Sequence, residues 1–307
     1  MAVAIATVTL IAGYAAPALA QQDLGHKVLG TLGLEAGAQQ DPGVFVADRL
    51  LFYRSDRAVD RNGVSLPIDL ELRAFANGVG AGVILKLEPL STYVGAGLGF
   101  PFAHVHASTS RPEASIDRFG LGDLYVQPLR LGWRLGDHVD VVAGYAFYAP
   151  TAEFEPGGRS GIGRGYWTHE PSLGGTIWFT GRGGWNLSAL ASYDFNGKKR
   201  GIDITRGDTV QIQGGAGARV FRVVELGLAA YGQWQVRDDR GADLPAVLRG
   251  ARDRAFGLGP EVAVRIPALR SRLSARWEHD VYARSRPVGQ IFVVGLTVAV
   301  WRPRPER

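Results

Sequence analysis

The chain alternates. From Trp185 to Asn196 (WNLSALASYDFN), Trp185, Leu187, Ala189, Ala191, Tyr193 and Phe195 are apolar or aromatic, while Asn186, Ser188, Ser192, Asp194 and Asn196 lie between them; only Leu190 breaks the order. A period of 2 over that length predicts a strand with one apolar and one polar face. The run is about twice as long as the usual soluble strand. At ~3.3 Å per residue and a tilt of ~40° it rises about 30 Å, the height of a bilayer's hydrocarbon core. Aromatics at both ends with small residues between match the two girdles of a transmembrane barrel, whose polar face would line a lumen.

The pattern recurs twelve times, over 43–54, 68–86, 91–106, 119–135, 138–150, 165–179, 184–196, 208–220, 223–236, 254–266, 270–283 and 288–301. The predicted connections alternate in length. Residues 55–67, 107–118, 151–164, 197–207, 237–253 and 284–287 form one set, all but the last long; 87–90, 136–137, 180–183, 221–222 and 267–269 form the short one. An even strand number, short turns on one side and both strand ends on that side predict an all-β, up-and-down antiparallel outer-membrane barrel.

Charge assigns the faces. In 223–236, Val224, Leu226, Leu228, Ala230 and Trp234 oppose Glu225, Tyr231, Gln233 and Gln235; in 254–266, Phe256, Leu258, Val262, Val264 and Ile266 oppose Glu261 and Arg265; in 270–283, Leu273, Ala275, Trp277 and Val281 oppose Arg272, Arg276, Glu278 and Asp280. An Arg or Lys facing lipid at mid-depth costs about 2–4 kcal/mol, so the charged sets must face inward. Gly214, Gly215 and Gly217 predict tight curvature or close backbone approach. Pro128 and Pro171 cannot donate to a ladder and predict bulges, with Leu124 and Val126 outward before Pro128 and Leu129, Leu131 and Trp133 outward after it.

Composition adds a compartment. With 42 Gly in 307 residues, 46% hydrophobic and 10% aromatic, the apolar residues are diluted by alternation. Residues 1–20 form an apolar run ending Ala18-Leu19-Ala20, the pattern of a cleaved secretory signal peptide. Residues 21–42, Gly- and Gln-rich, are expected to be a flexible periplasmic lead-in. The chain has no Cys, which suits transit through an oxidising periplasm. Its net charge of +5 is spread over loops and does not interleave with aromatics in a groove, which argues against nucleic acid.

Candidate chemistry follows from the faces. The lumen set is Glu170, Asp194, Arg219, Glu225, Glu261, Arg265, Arg276, Glu278 and Asp280. Two signs in one constriction either orient a passing solute or pair into a lattice that fills the barrel. Twelve strands fall between the eight that side chains fill and the sixteen that leave an aqueous channel. His104, His106 and Ser108 place a base and a nucleophile two apart on one strand face, the arrangement an outer-membrane lipid hydrolase would need, although no orienting carboxylate is identifiable. His104 and His106 lack a third metal ligand, and His169 and His279 fall among outward residues. Lys198, Lys199, Arg200, Arg237, Arg240, Arg249, Arg252 and Arg254 are loop cations able to meet lipopolysaccharide phosphates, with Asp238, Asp239, Asp243 and Asp253 close by. No catalytic, metal or cofactor site is expected.

Short blocks along the chain carry a resemblance. Gly120-Leu-Gly-Asp-Leu-Tyr125, Val126-Gln-Pro-Leu129, Gly132-Trp133, Tyr148-Ala-Pro-Thr151 and Gly163-Arg-Gly-Tyr-Trp-Thr-His-Glu-Pro-Ser172, then Asn186-Leu-Ser188, Tyr193-Asp-Phe-Asn196, Arg206-Gly-Asp208, Asp238-Asp-Arg-Gly241 and Gly257-Leu-Gly-Pro260, together resemble the MetA-pathway of phenol degradation family over residues 43–301. The resemblance implies a Gram-negative outer-membrane barrel, a transporter associated with aromatic breakdown, and no agreed ligand-binding residues. Arg302 to Arg307 extend past Trp301, the aromatic at which such barrels usually end. The combined expectation is a passive path for small hydrophobic or aromatic solutes, with outer-membrane lipid, lipopolysaccharide and the barrel-assembly machinery as partners. The alternatives are a lipid hydrolase and a structural or adhesive barrel with a plugged lumen.

Overall fold

The computed structural model describes residues 23–110, 113–156 and 161–303. It contains β1 (Gly43–Val59), β2 (Leu70–Leu87), β3 (Thr92–Ser110), β4 (Glu113–Leu121), β5 (Leu124–Leu135), β6 (Val139–Ala149) and β7 (Thr168–Trp178). These are followed by β8 (Asn186–Asn196), β9 (Thr209–Val220), β10 (Val224–Gln235), β11 (Arg254–Ile266), β12 (Ser271–Arg284) and β13 (Arg286–Trp301). All pairings are antiparallel, and β1 pairs with β13, closing the sheet. β4 and β5 share one stave, since β4 pairs with Phe102–Ser110 of β3 and β5 with Thr92–Gly99. Thirteen strands therefore make the twelve staves that alternation predicts.

Four expectations are corrected. Within the predicted loop 107–118, residues 107–110 and 113–118 are strand: β3 and β4 continue as a ladder, Ala107 opposite Ile116 and Ser110 opposite Glu113, and the predicted strand 119–135 breaks into two at Gly122-Asp123. The connection at 284–287 shrinks to Ser285, in a left-handed conformation with φ 51°. Pro128 does sit at a register shift, between Val126 and Leu129. Pro171 does not, because its register with β6 and β8 is unbroken; the missing N–H is absorbed by a gap in pairing with β8 at Glu170-Pro171.

The fourth correction is the largest. Residues 23–42 are no periplasmic lead-in but run down the inside of the barrel. Asp23 lies at the end with the long connections, within 2.9 Å of Lys199 Nζ and 3.4 Å of Arg164 Nη1. Asp41 lies at the short-turn end, where it meets Arg134 (2.7 Å) and Arg302 (3.9 Å) before β1 begins. No hydrophobic period marks this segment because it is not an element with a face of its own; the barrel wall satisfies its backbone. The expected signal peptide at 1–20 and the tail beyond Pro303 lie outside the described residues.

The outer surface is apolar, with Leu187, Phe195, Leu226, Leu228, Leu258, Leu273 and Trp277 all exposed. Towards the long-connection end, register puts Trp277, Phe292, Phe52, Phe75, His104 and Phe119 in one cross-strand row. Two residues further along the strands lies a polar row of His279, Gln290, Arg54, Arg73, His106 and Asp117. An aromatic band capped by polar and cationic groups is the profile of a membrane interface.

Candidate functional site

Inside, the barrel has two unlike walls, and the segment from Asp23 to Pro42 makes its polar contacts with the charged one while Leu29 packs on Leu51, Ile291 and Val293 of the other. Every member of the predicted lumen set is on the inner face. Glu225 accepts from Arg265 Nε (2.5 Å) and Arg272 Nη2 (2.9 Å), with Arg219 Nη2 at 3.2 Å. Glu261 takes Arg272 and Arg276, both at 3.4 Å. Asp280 accepts from the Tyr231 hydroxyl (2.7 Å) and the Gly289 N–H (2.8 Å). Glu170 holds Lys27 at 2.8 Å, and Asp194 is buried two residues along β8 from Ser192, which also accepts from Lys27 (2.9 Å). Glu278 is fully buried opposite Gly30, where a Cβ would come within 2.6 Å of its Oε2.

The threaded segment completes this lattice. Both carboxylate oxygens of Glu35 accept from the single Nη2 of Arg265 (2.6 and 2.7 Å). The Leu34 N–H donates to Glu261 Oε2 (3.0 Å), the Gly37 N–H to Ser188 Oγ (2.8 Å), and the Thr31 and Leu32 N–H groups share Gln213 Oε1 (3.0 and 3.1 Å). Arg276 donates back to the Thr31 carbonyl at 3.1 Å. Backbone donors that a sheet or helix would satisfy internally are here paired with wall side chains, which is what permits an irregular segment in a dry interior. Leu34 is buried in a socket of Gly215, Gly217 and Gly227, whose Cβ atoms would come within 3.1, 3.0 and 2.6 Å of its Cδ2. The close approach expected at Gly215 and Gly217 is to the β10 backbone first, where a Cβ would fall 2.6 Å from the Leu228 carbonyl and 2.7 Å from the Leu226 carbonyl, and then to this leucine. Gly214, on the alternate face, abuts the β8 backbone instead, a Cβ there falling 2.1 Å from the Ser188 carbonyl.

At its upper end the segment is pinned by charge. Burial alone would raise the Asp23 carboxyl, but Lys199, Arg164 and Arg206 outweigh it and hold the pKa well below the usual range. His26 stacks on Tyr148 (centroids 4.9 Å) and lies within 2.9 Å of Asp123. At the lower end Arg130 donates to Gln39 Oε1 (3.0 Å) and the Ala38 carbonyl (2.9 Å), and Arg134 to the Gln39 carbonyl (2.9 Å).

The other wall is nearly without side chains over its half nearer the short turns; above that, Leu51, Ile291 and Val293 cluster around Leu29 of the segment. Gly78, Gly80 and Gly82 of β2 pair with Pro101, Gly99 and Gly97 of β3, all facing inward. Ala47, Thr297, Gly295 and Ala299 extend this surface across β1 and β13. Between this wall and the threaded segment lies a cavity of ≈ 970 Å³, lined from His26 and Tyr148 down to Pro267, Arg270 and Arg302 at the short-turn rim. Eleven Lys or Arg side chains line it against six Asp or Glu.

Of the remaining candidates, His104 and His106 lie on the outer face, gripped by Asp117 at 2.8 and 3.0 Å. Asp117 is the carboxylate the sequence did not reveal, because the pairing of β4 with β3 brings it opposite His106. Both histidines hold it, and Ser108 makes no hydrogen bond with His106 among the described residues. His169 is outward, 2.7 Å from the Tyr145 hydroxyl. Three of the eight loop cations are paired locally, Lys198 with Asp203 (2.6 Å), Arg237 with Asp208 (3.1 Å) and Arg252 with Asp238 (2.7 Å), and Lys199 turns inward to Asp23. Asp253 turns inward to Arg206 at 2.7 Å. Sequence reasoning missed Asp23, Lys27, Glu35, Arg49, Arg130 and Arg134. The alternating glycines at 78, 80 and 82 and at 95, 97 and 99 were the readable signal for the bare wall.

This architecture is shared. The COG4313 outer membrane channel from Pseudomonas putida F1 superposes with a TM-score of 0.71 at 12% identity, over 89% of this chain and 99% of that one. The transport unit of the autotransporter AIDA-I from Escherichia coli superposes with a TM-score of 0.53 at 12% identity, over 93% and 97%. At such identities the likeness concerns the fold. No curated protein matches the sequence. A family model described as "Putative MetA-pathway of phenol degradation" matches residues 55–294, most of the barrel, and on that match the chain belongs to this family.

Proposed function

We propose that the protein resides in the outer membrane of a Gram-negative bacterium and passes small hydrophobic or aromatic solutes down their gradient, without a cofactor, through the space beside the threaded segment. The observation that carries this reading is the ≈ 970 Å³ cavity between that segment and a wall of glycines. A barrel serving only as scaffold gains stability by filling its interior, and unfilled volume costs packing energy. Here the alternation places glycine at successive inward positions of two paired strands, so the space is specified by the sequence of the wall. The description of the family supports the same reading, as does the outer membrane channel from Pseudomonas putida F1 that shares this fold.

The test is solute flux into liposomes carrying the purified protein, with phenol as the probe, alongside single-channel recording. Flux above that of protein-free liposomes is expected. Absence of flux for phenol and for every other solute up to a few hundred daltons would overturn the reading in favour of a plugged structural barrel.

A further inference from the structure

Arg49 stands alone. On the inner face of β1 its cross-strand neighbours are Gly295 on β13 and Gly78 on β2, so neither flank offers a side chain. It lines the cavity and makes no hydrogen bond or ion pair among the described residues. By contrast Arg265, Arg272 and Arg276 each hold a carboxylate, and Arg130 and Arg134 each hold carbonyls of the threaded segment. Of the charged groups that line the cavity with it, Glu261 already serves both Arg272 and Arg276.

A guanidinium enclosed by protein without a counter-ion is costly unless an anion completes it. Its planar fork matches a carboxylate with two parallel hydrogen bonds. The rest of the pocket is of another kind. Gly78 has open space where a Cβ would stand, and Gly80 and Gly99 expose bare backbone beside it. Val28, 43% exposed, and Leu32 of the threaded segment face the same cavity, and Tyr125 stands 3.7 Å from where a Cβ on Gly99 would be. One fixed cation beside a flat, side-chain-free surface and an apolar edge suits a small planar anion.

We infer that the lumen holds a binding site for small aromatic carboxylates, with Arg49 receiving the carboxylate and the Gly78–Gly80–Gly99 surface receiving the ring. This deepens the transport reading by naming a class of solute, and it rests on that reading for the word transport alone. The excess of basic over acidic lining groups draws such anions in, and neutral phenols gain nothing from Arg49.

The experiment compares benzoate and phenol flux into proteoliposomes for the full chain, Arg49→Ala and Arg49→Lys, with benzoate binding measured by calorimetry in detergent. Because Arg49 is flanked by glycines, its removal strips no packing partner from β1. Arg49→Ala should lower benzoate flux and affinity about tenfold or more, leave phenol flux within about twofold, and be partly rescued by Arg49→Lys. Equal losses for both solutes, or none for benzoate, would overturn the inference. Should no solute cross the unaltered protein, the transport reading fails while binding still decides: benzoate bound by the unaltered chain and not by Arg49→Ala keeps the site, and no binding removes it.

Discussion

The two walls of this barrel are built from the same alternation and have opposite interiors. From β7 to β12 the inward positions carry Glu170, Asp194, Glu225, Glu261, Arg276 and Glu278, and they are covered by residues 23–42. From β13 to β3, in the half nearer the short turns, they carry mostly glycine, alanine and threonine around Arg49, while towards the long-connection end Leu51, Ile291 and Val293 pack against Leu29 of the segment. The first wall is a socket and the second a boundary. The difference shows that inward polarity in a transmembrane barrel does not by itself mean a wet surface. Charge on the inner face can exist to hold a piece of the chain, and the cavity is found where the wall has fewest side chains.

Removing the occupant of the socket is the most drastic way to test this contrast. Deleting residues 23–40 should raise single-channel conductance several-fold and destabilise the barrel, since Glu225, Glu261 and their arginines lose Glu35 and the Leu34 N–H. Unchanged conductance would show that the segment does not obstruct the pore. Next in size is Glu261→Ala, which strips Arg276 of its carboxylate and orphans the Leu34 N–H. A loss of about 3–5 kcal/mol is expected in urea unfolding followed by tryptophan fluorescence.

Paired glycine substitutions compare the walls directly. Gly227→Leu drives side-chain atoms into Leu34 and should cost about 1–3 kcal/mol. Gly78→Leu meets open space, so it should change stability by no more than about 0.5 kcal/mol while cutting phenol flux in liposomes. The reverse ranking would mean that the open side had been misassigned. The smallest effect concerns pH. The Asp23 carboxyl is held below its usual range by Lys199, Arg164 and Arg206, against burial, so its contribution is fully present above the unfolded value near pH ~4 and is lost only as pH falls through the lower folded one. The stability gap between the full chain and Asp23→Asn, measured by urea unfolding, should therefore stay constant from pH 8 down to about pH 4.5 and close only at lower pH.

Much of the wall was legible. The twelve staves, the faces of most strands, the phase change at Pro128 and the inward placement of the charged residues follow from a period of 2 and from the cost of charge in lipid; the last strand, apolar on both faces, does not declare its register. The corrections share a cause. The β3–β4 extension, the unbroken register at Pro171 and the Asp117 grip on His104 and His106 depend on which strand lies beside which. Asp23, Lys27 and Glu35 had no periodic neighbours to announce them, because their partners are from about 140 to more than 200 residues away on the wall.

The sequence alone determined that this chain closes into a barrel, since alternation and the penalty for unpaired backbone in hydrocarbon leave few other solutions. Only the tertiary structure decided that residues 23–42 occupy the interior, that the charged wall is their socket, and that Arg49 is left facing space. Those outcomes depend on contacts across the barrel, where side chains far apart in the chain settle each other's charge and hydrogen bonds, and no local pattern records them.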